Sequence, residues 1–283
     1  MSLDTSTNST LTQDVVERLL ILPLTQRSTY LSQGFPVFVS DGQPIKVPSL
    51  STLGTPGYVS EGSAIPTVTA TTSEITLLPS TVHSIKVITK MTTEIVRQSV
   101  VNVESIFTTK LVSDVSRILD EALWNGAGTA GAPTGMANFA GVTSTGTAAG
   151  TLNADDLLDM QEDAMGAFVM PSSMTWAFSP ANFTRIRKFA DNYGARILQP
   201  SLAAGAPPTL LGAPYVITTH IPDSTILLFD PTQVAVGMDN RATVTLLSEL
   251  YAGTDEIGLK VTARYDTAAL NPKAVVKLTG ITA

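Results

Sequence analysis

Cysteine is absent from the 283 residues of this chain, and histidine occurs twice. Without thiols the chain has no disulfide bonds, thiolate zinc sites or cysteine nucleophiles. His83 and His220 lie far apart, and neither has a metal-ligand partner at helical spacing. A zinc site would need carboxylates for its other ligands, so two structural histidines are the favoured interpretation.

Charged side chains are also scarce. They make up 14% of the chain, against about 25% in an average soluble protein. No stretch approaches the ~20 apolar residues of a membrane span, and the best apolar run, 19–24, is interrupted by Pro23. Apolar contacts between subunits would explain such a composition. An Ala- and Thr-rich monomer interior explains it equally well.

A basic stripe is missing as well. The net charge is −7, and the densest group of cations is Arg185, Arg187 and Lys188. Proteins that grip nucleic acid usually concentrate Lys and Arg on one surface. A chain of this kind beside DNA would contain the DNA rather than read it. The polar start of the sequence has no signal-peptide pattern, so secretion is not expected.

The first third of the sequence predicts extended structure. Residues 1–12 form a Ser- and Thr-rich arm, 12–22 have the spacing of a short amphipathic helix, and 35–50 alternate like strands around an Asp41-Gly42 turn. Residues 48–82 carry only two charges, Glu61 and Glu74. Within them, 65–78 predicts a long extended arm of a hairpin, whose open edges a neighbouring subunit covers. A hairpin packed on its own domain is the alternative.

Helical periodicity then dominates. The clearest helix is predicted over 103–124, about 33 Å long, and ends at Asn125-Gly126. A second amphipathic helix covers 153–168, and a third begins at Ser179-Pro180 and runs to about residue 192. Strands follow from residue 210 onward, so the fold class is α+β. The expected core positions of the first helix are Phe107, Leu111, Val115, Ile118 and Trp124, and the apolar positions of the second are Leu157, Leu158, Met165 and Phe168.

The patterns that resemble catalytic motifs are weak. Gly126, Gly128 and Gly131 match G-x-G-x-x-G, but a helix precedes them where dinucleotide binding needs a strand. The acidic residues of 155–163 are better explained by a solvated helix face than by paired catalytic carboxylates. A Ser-His-Asp arrangement cannot be judged from chain order. No catalytic, cofactor-binding or metal-binding residue is therefore assigned.

Four segments in order resemble one family. They are Tyr58-Val59-Ser60-Glu61-Gly62 with Ile75-Thr76-Leu77; Asp120 to Gly128 with Pro133-Thr134-Gly135-Met136; Trp176 to Pro180 with Leu210 to Val216; and Leu228-Phe229-Asp230 with Ala263 to Asp266. Over about residues 12–280 the chain resembles the major capsid proteins of tailed double-stranded DNA bacteriophages, which have the Hong Kong 97 fold.

The resemblance implies a domain plan. An N-terminal arm would cover 1–34, and an extended loop (the E-loop) with its flanking strands 35–90. A peripheral domain with the long spine helix would take 91–139 and 256–283, and an axial domain 140–255. The E-loop residues implied to contact a neighbouring subunit are Tyr58, Val59, Glu61, Ile65, Ile75 and Leu77.

The function implied is structural and not enzymatic. The chain would assemble with itself as pentamers and hexamers into an icosahedral shell around double-stranded DNA, without sequence-specific binding, cofactor or membrane. Portal and scaffolding or decoration proteins are the further implied partners. Its place would be the virion capsid, and the host cytoplasm during assembly.

Two departures and three rivals complete the prediction. No lysine lies between Lys46 and Lys86, so the covalent E-loop crosslink of some family members is not expected. The fold pattern starts near residue 12, so scaffolding is expected to be separate or absent. The rivals are an encapsulin-type nanocompartment enclosing cargo protein, a carboxylate- and His-dependent hydrolase, and a secreted adhesin, which the N-terminus disfavours.

Overall fold

The computed structural model describes residues 28–52, 58–62, 71–92, 103–145, 150–189, 209–239, 243–247 and 250–282. Its α-helices are α1 (Val103–Asn125), α2 (Ala154–Gly166) and α3 (Pro180–Lys188). Strands β1 to β14 are, in chain order, Val37–Ser40, Ile45–Thr52, Thr71–Leu77, Ile85–Thr92, Thr143–Thr145, Thr175–Phe178, Thr209–Leu210, Ala213–Ile217, Thr225–Phe229, Val234–Asp239, Thr243–Leu247, Glu256–Ala263, Tyr265–Ala269 and Val275–Thr279. None of these helices is long and apolar enough to cross a membrane.

A six-stranded sheet of order β5-β14-β9-β6-β8-β7 divides the core into two layers. Successive side chains of a strand point to opposite faces, and both faces of the central strands β6 and β9 are buried. Ala177, Leu227 and Phe229 join the cluster that contains α1. Trp176 and Leu228 join the cluster formed with α2 and α3. The near-continuous apolar sequence of β9 follows from this burial on both sides.

Aromatic rings connect α1 to this sheet. The Trp124 ring lies 4.9 Å from Tyr30 in an edge-on arrangement and 5.9 Å from Phe229. Phe35 lies 4.6 Å from Tyr30 and 5.7 Å from Phe229. Such offset and edge-on pairs are the favoured packing of aromatic side chains. They fix the segment before β1 against the end of the long helix.

The buried stripe of α1 repeats every four residues. Leu111, Val115, Leu119 and Leu123 are buried on one row, and Val112, Ser116, Asp120 and Trp124 on the next. The prediction of a core position for Ile118 is therefore wrong for the single chain, because its side chain is 45% exposed. Asp120 is buried instead. Hydrogen bonds from residues 28–30 compensate the loss of water around its carboxylate. The side chain of Phe107 lies outside the described residues.

The apolar positions named for α2 do not all lie in the core. Leu157 is buried together with Met160 and Ala164, whereas Leu158, Met165 and Phe168 are exposed. The buried row meets β14, β5 and β9 of the sheet. Leu158 and Met165 lie beside the buried row and not on it, so the apolar residues of this helix extend beyond its buried face.

Strand pairing cuts across the predicted domain limits, which stay a prediction. β14, at 275–279, lies between β5 and β9 in the six-stranded sheet, although 256–283 was expected to belong wholly to the peripheral domain. β10 and β11 lie in the range expected for the axial domain. β10 pairs with β1 and β13, and β11 pairs with β12, so both join strands that were expected outside the axial domain. The Asp41-Gly42 turn does not close a hairpin, because β1 runs parallel to β10 and β2 pairs with β3.

Several predictions fall outside the described residues. They are the arm 1–12, the helix 12–22, the loop position Ile65 and the last turn predicted for α3 beyond residue 189.

Candidate functional site

The hairpin formed by β2 and β3 is the first exposed feature. Its strands pair with each other from Ile45–Leu77 to Thr52–Thr71, with an irregularity at Leu50, and within the described residues they join no larger sheet. A pair of strands in this situation leaves two open edges. The described part of its tip, residues 58–62, is exposed, and Tyr58 is fully so.

The base of this hairpin is fixed in the core. Leu77 and Leu78 are fully buried, and the backbone of Leu78 adopts a φ of 53°. The Leu78 N–H donates to Asp266 Oδ2 at 2.8 Å. Gly237 leaves room for this turn, because a Cβ there would lie 3.1 Å from Leu78 Cγ. The predicted inter-subunit role of Leu77 is therefore wrong, since a side chain without exposed surface cannot meet a neighbour.

Arg264 holds the same turn from the other side. Its guanidinium donates to the carbonyl oxygens of Leu78 at 3.0 Å, Pro79 at 2.6 Å and Val82 at 2.9 Å. A planar fork of donors suits several carbonyls at once. Hydrogen bonds from two sides therefore fix the base from which the arm leaves the core.

Burial shifts the pKa of Asp266, the carboxyl group that accepts a hydrogen bond from the Leu78 N–H at the hairpin base. Burial raises the pKa of Asp266, while the Leu78 and Thr267 backbone N–H groups and the charge of Arg264 act in the opposite direction. The cost of burying a carboxylate outweighs these partners. The turn therefore depends on a carboxyl group that protonates more readily than usual.

A cleft of about 570 Å³ opens beside the hairpin base. Its charged and titratable lining consists of His83, Lys86, Asp239 and Arg264. The Arg264 guanidinium lies 3.9 Å from Asp239 Oδ2, and its other donors serve the turn described above. Arg264 and Asp239 hold the fold, so their part of the cleft has a structural role.

The outer face of the sheet β11-β12-β4 is basic with an apolar centre. Lys86, Ile88 and Lys90 are the exposed side chains of β4, and the register places Lys260 opposite Ile88. Lys90 contacts the Tyr251 ring at 4.1 Å and Glu256 at 3.7 Å. In a chain of net charge −7, this face is a local exception.

A second exposed apolar surface follows α2. Phe168 is 97% exposed and Met170 is 71% exposed, and Leu158 and Met165 are half-exposed on the same helix. Sequence periodicity did not separate this surface, because it grouped Phe168 with the other apolar positions of the helix. The informative signal is the position of Phe168 just beyond Gly166, where a helix normally ends.

The patterns that resembled catalytic motifs have structural explanations. Gly126 directly follows α1. The backbone at Gly135 passes Gly126 so closely that a Cβ on Gly135 would lie 2.4 Å from the Gly126 nitrogen. The Gly135 N–H donates to the Gly126 oxygen at 2.8 Å. These glycines serve a backbone crossing. Within the described part of the chain, no three His, Asp or Glu side chains are grouped to hold a metal ion.

A family model described as the phage capsid family matches residues 3–280. The chain belongs to the phage capsid family. This membership confirms a structural role in a capsid shell rather than an enzymatic one, and it places the protein in the capsid of the particle. No curated protein matches the sequence.

Solved structures share the fold. A capsid of the native GTA particle has a TM-score of 0.73 and 22% identity over 90% of this chain and 91% of that chain. A capsid of the empty GTA particle has a TM-score of 0.72 and 21% identity over 90% and 91%. The chain from Mycobacterium phage Cain has a TM-score of 0.69 and 22% identity over 91% and 92%. The predicted α+β capsid fold is confirmed.

Proposed function

We propose that this capsid protein assembles as pentamers and hexamers into an icosahedral shell that encloses double-stranded DNA. The observation that carries the proposal is the hairpin β2–β3, which has a base locked in the core and a tip fully exposed to solvent. A single chain gains nothing from holding a sparsely charged arm in water. A neighbour that covers its edges turns the same arm into a subunit contact.

The contact is heterologous, because the tip of one copy meets a different surface of the next. Contacts of this type close into rings when the rotation is suitable. Tyr58, Val59 and Glu61 are the exposed tip residues that would make it. Ile75, half-buried on β3, would contribute along the arm.

The basic face of β4 and β12 is the complementary surface. Ile88 would receive the apolar tip, and Lys86 and Lys260 would attract Glu61. Opposite charges around an apolar centre favour correct docking over wrong pairings. This arrangement explains why a chain with so few charges keeps both signs at these places.

The enclosed DNA would be confined without sequence recognition. The negative net charge and the absence of a basic stripe in the sequence support a container rather than a DNA-reading protein. A portal and scaffolding or decoration proteins would complete the particle, which forms in the host cytoplasm.

The test is assembly of the purified chain, followed by negative-stain electron microscopy and sedimentation. Wild-type protein should form closed shells or rings of five and six subunits. The variant Tyr58→Ser with Val59→Ser should stay largely unassembled, because it removes the apolar tip without touching the buried base. The control Leu250→Ser removes an apolar side chain elsewhere that is 67% exposed, and it should assemble normally.

The contents of particles isolated from the source cell separate the two kinds of shell. DNase-protected DNA supports the phage-type container. Shells that hold cargo protein and no DNA would support a nanocompartment instead. A wild-type chain that stays monomeric under all salt and crowding conditions would contradict the proposal.

A further inference from the structure

The end of α2 has the hydrogen bonds of a Schellman motif. The Val169 N–H donates to the Ala164 oxygen at 3.2 Å, and the Phe168 N–H donates to the Met165 oxygen at 2.9 Å. The residue that closes this motif needs a left-handed backbone, and glycine is the usual choice. Here it is Phe168, with a φ of 63°.

Phe168 is thus unfavourable twice in the isolated subunit. A Cβ disfavours its backbone conformation, and its ring is 97% exposed. The packing of the subunit's own core places Val169 inside, but it does not explain the exposed ring of Phe168. Together with Leu158, Met165 and Met170 it forms the Phe168 surface, which is rich in the aromatic and Met side chains that interfaces favour.

The surroundings of the Phe168 surface are acidic. α2 carries Asp155, Asp156, Asp159, Glu162 and Asp163. No Lys or Arg occurs anywhere between Arg117 and Arg185. A partner for this surface must therefore combine an apolar contact with positive charge.

One surface of the same chain has this combination. The last turn of α3 contains Arg185, Arg187 and Lys188, and α3 itself contains no acidic residue. The Arg187 guanidinium lies 5.6 Å from the centre of the half-buried Phe183 ring. We call Phe183, Arg187 and Lys188 the α3 surface.

Within one subunit neither surface covers the other, because Phe168 is 97% exposed and the side chains of Arg187 and Lys188 are exposed. Phe168 lies in the turn that leads into β6, and α3 starts after the other end of β6. Both helices cover the same face of the six-stranded sheet. One copy therefore presents both an acidic apolar surface and a basic aromatic surface on this layer.

We propose that the Phe168 surface of one copy docks on the α3 surface of a second copy. This inference rests on the proposed shell function and adds a contact that is separate from the hairpin arm. The Phe168 ring would pack beside Phe183, and Asp159 and Glu162 would face Arg187 and Lys188. The strained backbone at Phe168 aims the ring outward before the partner arrives, so less order has to be created on docking.

The first test is Phe168→Gly, because glycine relieves the backbone and removes the ring at once. The variant should unfold at the same or a higher urea concentration than wild type. The subunit concentration for half-maximal shell assembly should rise by about tenfold or more. Ala130→Gly is the matched control, since Ala130 has a φ of 55° and is exposed but has no large apolar side chain. It should leave assembly unchanged.

The second test exchanges charges. Glu162→Arg and Arg187→Glu should each weaken assembly, and the two together should restore at least part of it. If wild type forms shells and Phe168→Gly forms them equally well, this inference is overturned while the shell function stands. Loss of assembly in both single charge variants without recovery in the double variant would also count against the pairing. A wild type that never assembles refutes the shell function itself.

Discussion

Two buried tyrosines differ in one hydrogen bond. The Tyr30 hydroxyl lies 2.6 Å from Thr267 Oγ1. The Tyr265 hydroxyl is buried and has no hydrogen-bond partner in the part of the chain that the structure describes. Burial raises the pKa of both phenols, that of Tyr265 to about 12. Both are neutral at pH 7, so only the hydrogen bond separates them.

Tyr265→Phe should therefore raise the free energy of unfolding by about 1 kcal/mol, because it removes a buried hydroxyl without a partner. Tyr30→Phe should lower it by about 1 kcal/mol, because it removes the hydrogen bond between the Tyr30 and Thr267 hydroxyls. Urea unfolding of the two unassembled variants measures the difference. Equal effects of the same sign would contradict the assignment of the hydrogen bond.

Asp266 gives the fold a pH dependence of its own. Its pKa is raised mainly by burial above the ordinary 3.8, so the folded state holds the proton more tightly than the unfolded state. The stabilisation by this group is complete below 3.8 and is lost as the pH rises through the folded-state pKa. In Asp266→Asn this contribution is absent.

The check compares unfolding free energies of wild type and Asp266→Asn from pH 3 to 7. Relative to the variant, wild type should lose stability as the pH rises above 3.8. Parallel curves would show that the carboxyl group does not titrate in this window.

At the scale of elements, Asp120 connects α1 to the segment before β1. Its carboxylate accepts hydrogen bonds from the Ser28 hydroxyl, from the Thr29 N–H at 2.8 Å and from the Thr29 hydroxyl at 2.9 Å. Trp124 Nε1 donates to the same Thr29 hydroxyl at 3.1 Å. This buried network fixes the direction in which the chain enters the fold.

Asp120→Ala should lower the free energy of unfolding by about 3 kcal/mol, because it leaves several buried donors unpaired. Asp114→Ala is the control on the same helix. Asp114 pairs with Lys110 at the surface at 2.8 Å, and such a pair contributes about 0.5 kcal/mol or less. Similar losses in both variants would show that the buried network is not what holds the segment.

At the scale of the whole molecule, charge should guide the proposed docking of the hairpin tip on a neighbour. Glu61→Lys alone and Lys86→Glu alone should each slow assembly, and the double variant should recover part of the rate. Light scattering at low salt follows the rate. The differences should shrink as ionic strength rises, because salt screens exposed charges. Additive losses in the double variant would exclude a direct pairing.

Much of this molecule is readable from local patterns. Periodicity predicts the length of α1 and the alternation of the later strands, and composition indicates the sparsely charged hairpin arm. These patterns reflect interactions between residues that are close in the chain. The missing thiols and the two histidines exclude or disfavour several kinds of active site by composition alone. The order of four family-like segments indicates the capsid fold.

Long-range contacts decided the rest. Which strand pairs with which, as in the parallel pairing of β1 with β10 and the place of β14 inside the large sheet, depends on residues far apart in the chain. Asp120 rather than Ile118 is buried because residues 28–30 supply hydrogen-bond donors to its carboxylate. The exposure of Phe168 depends on how α2 ends, and no periodicity of apolar residues contains that information. The sequence by itself determined the elements and the kind of protein, whereas only tertiary structure decided which apolar residues were left for other subunits, because burial depends on the whole chain.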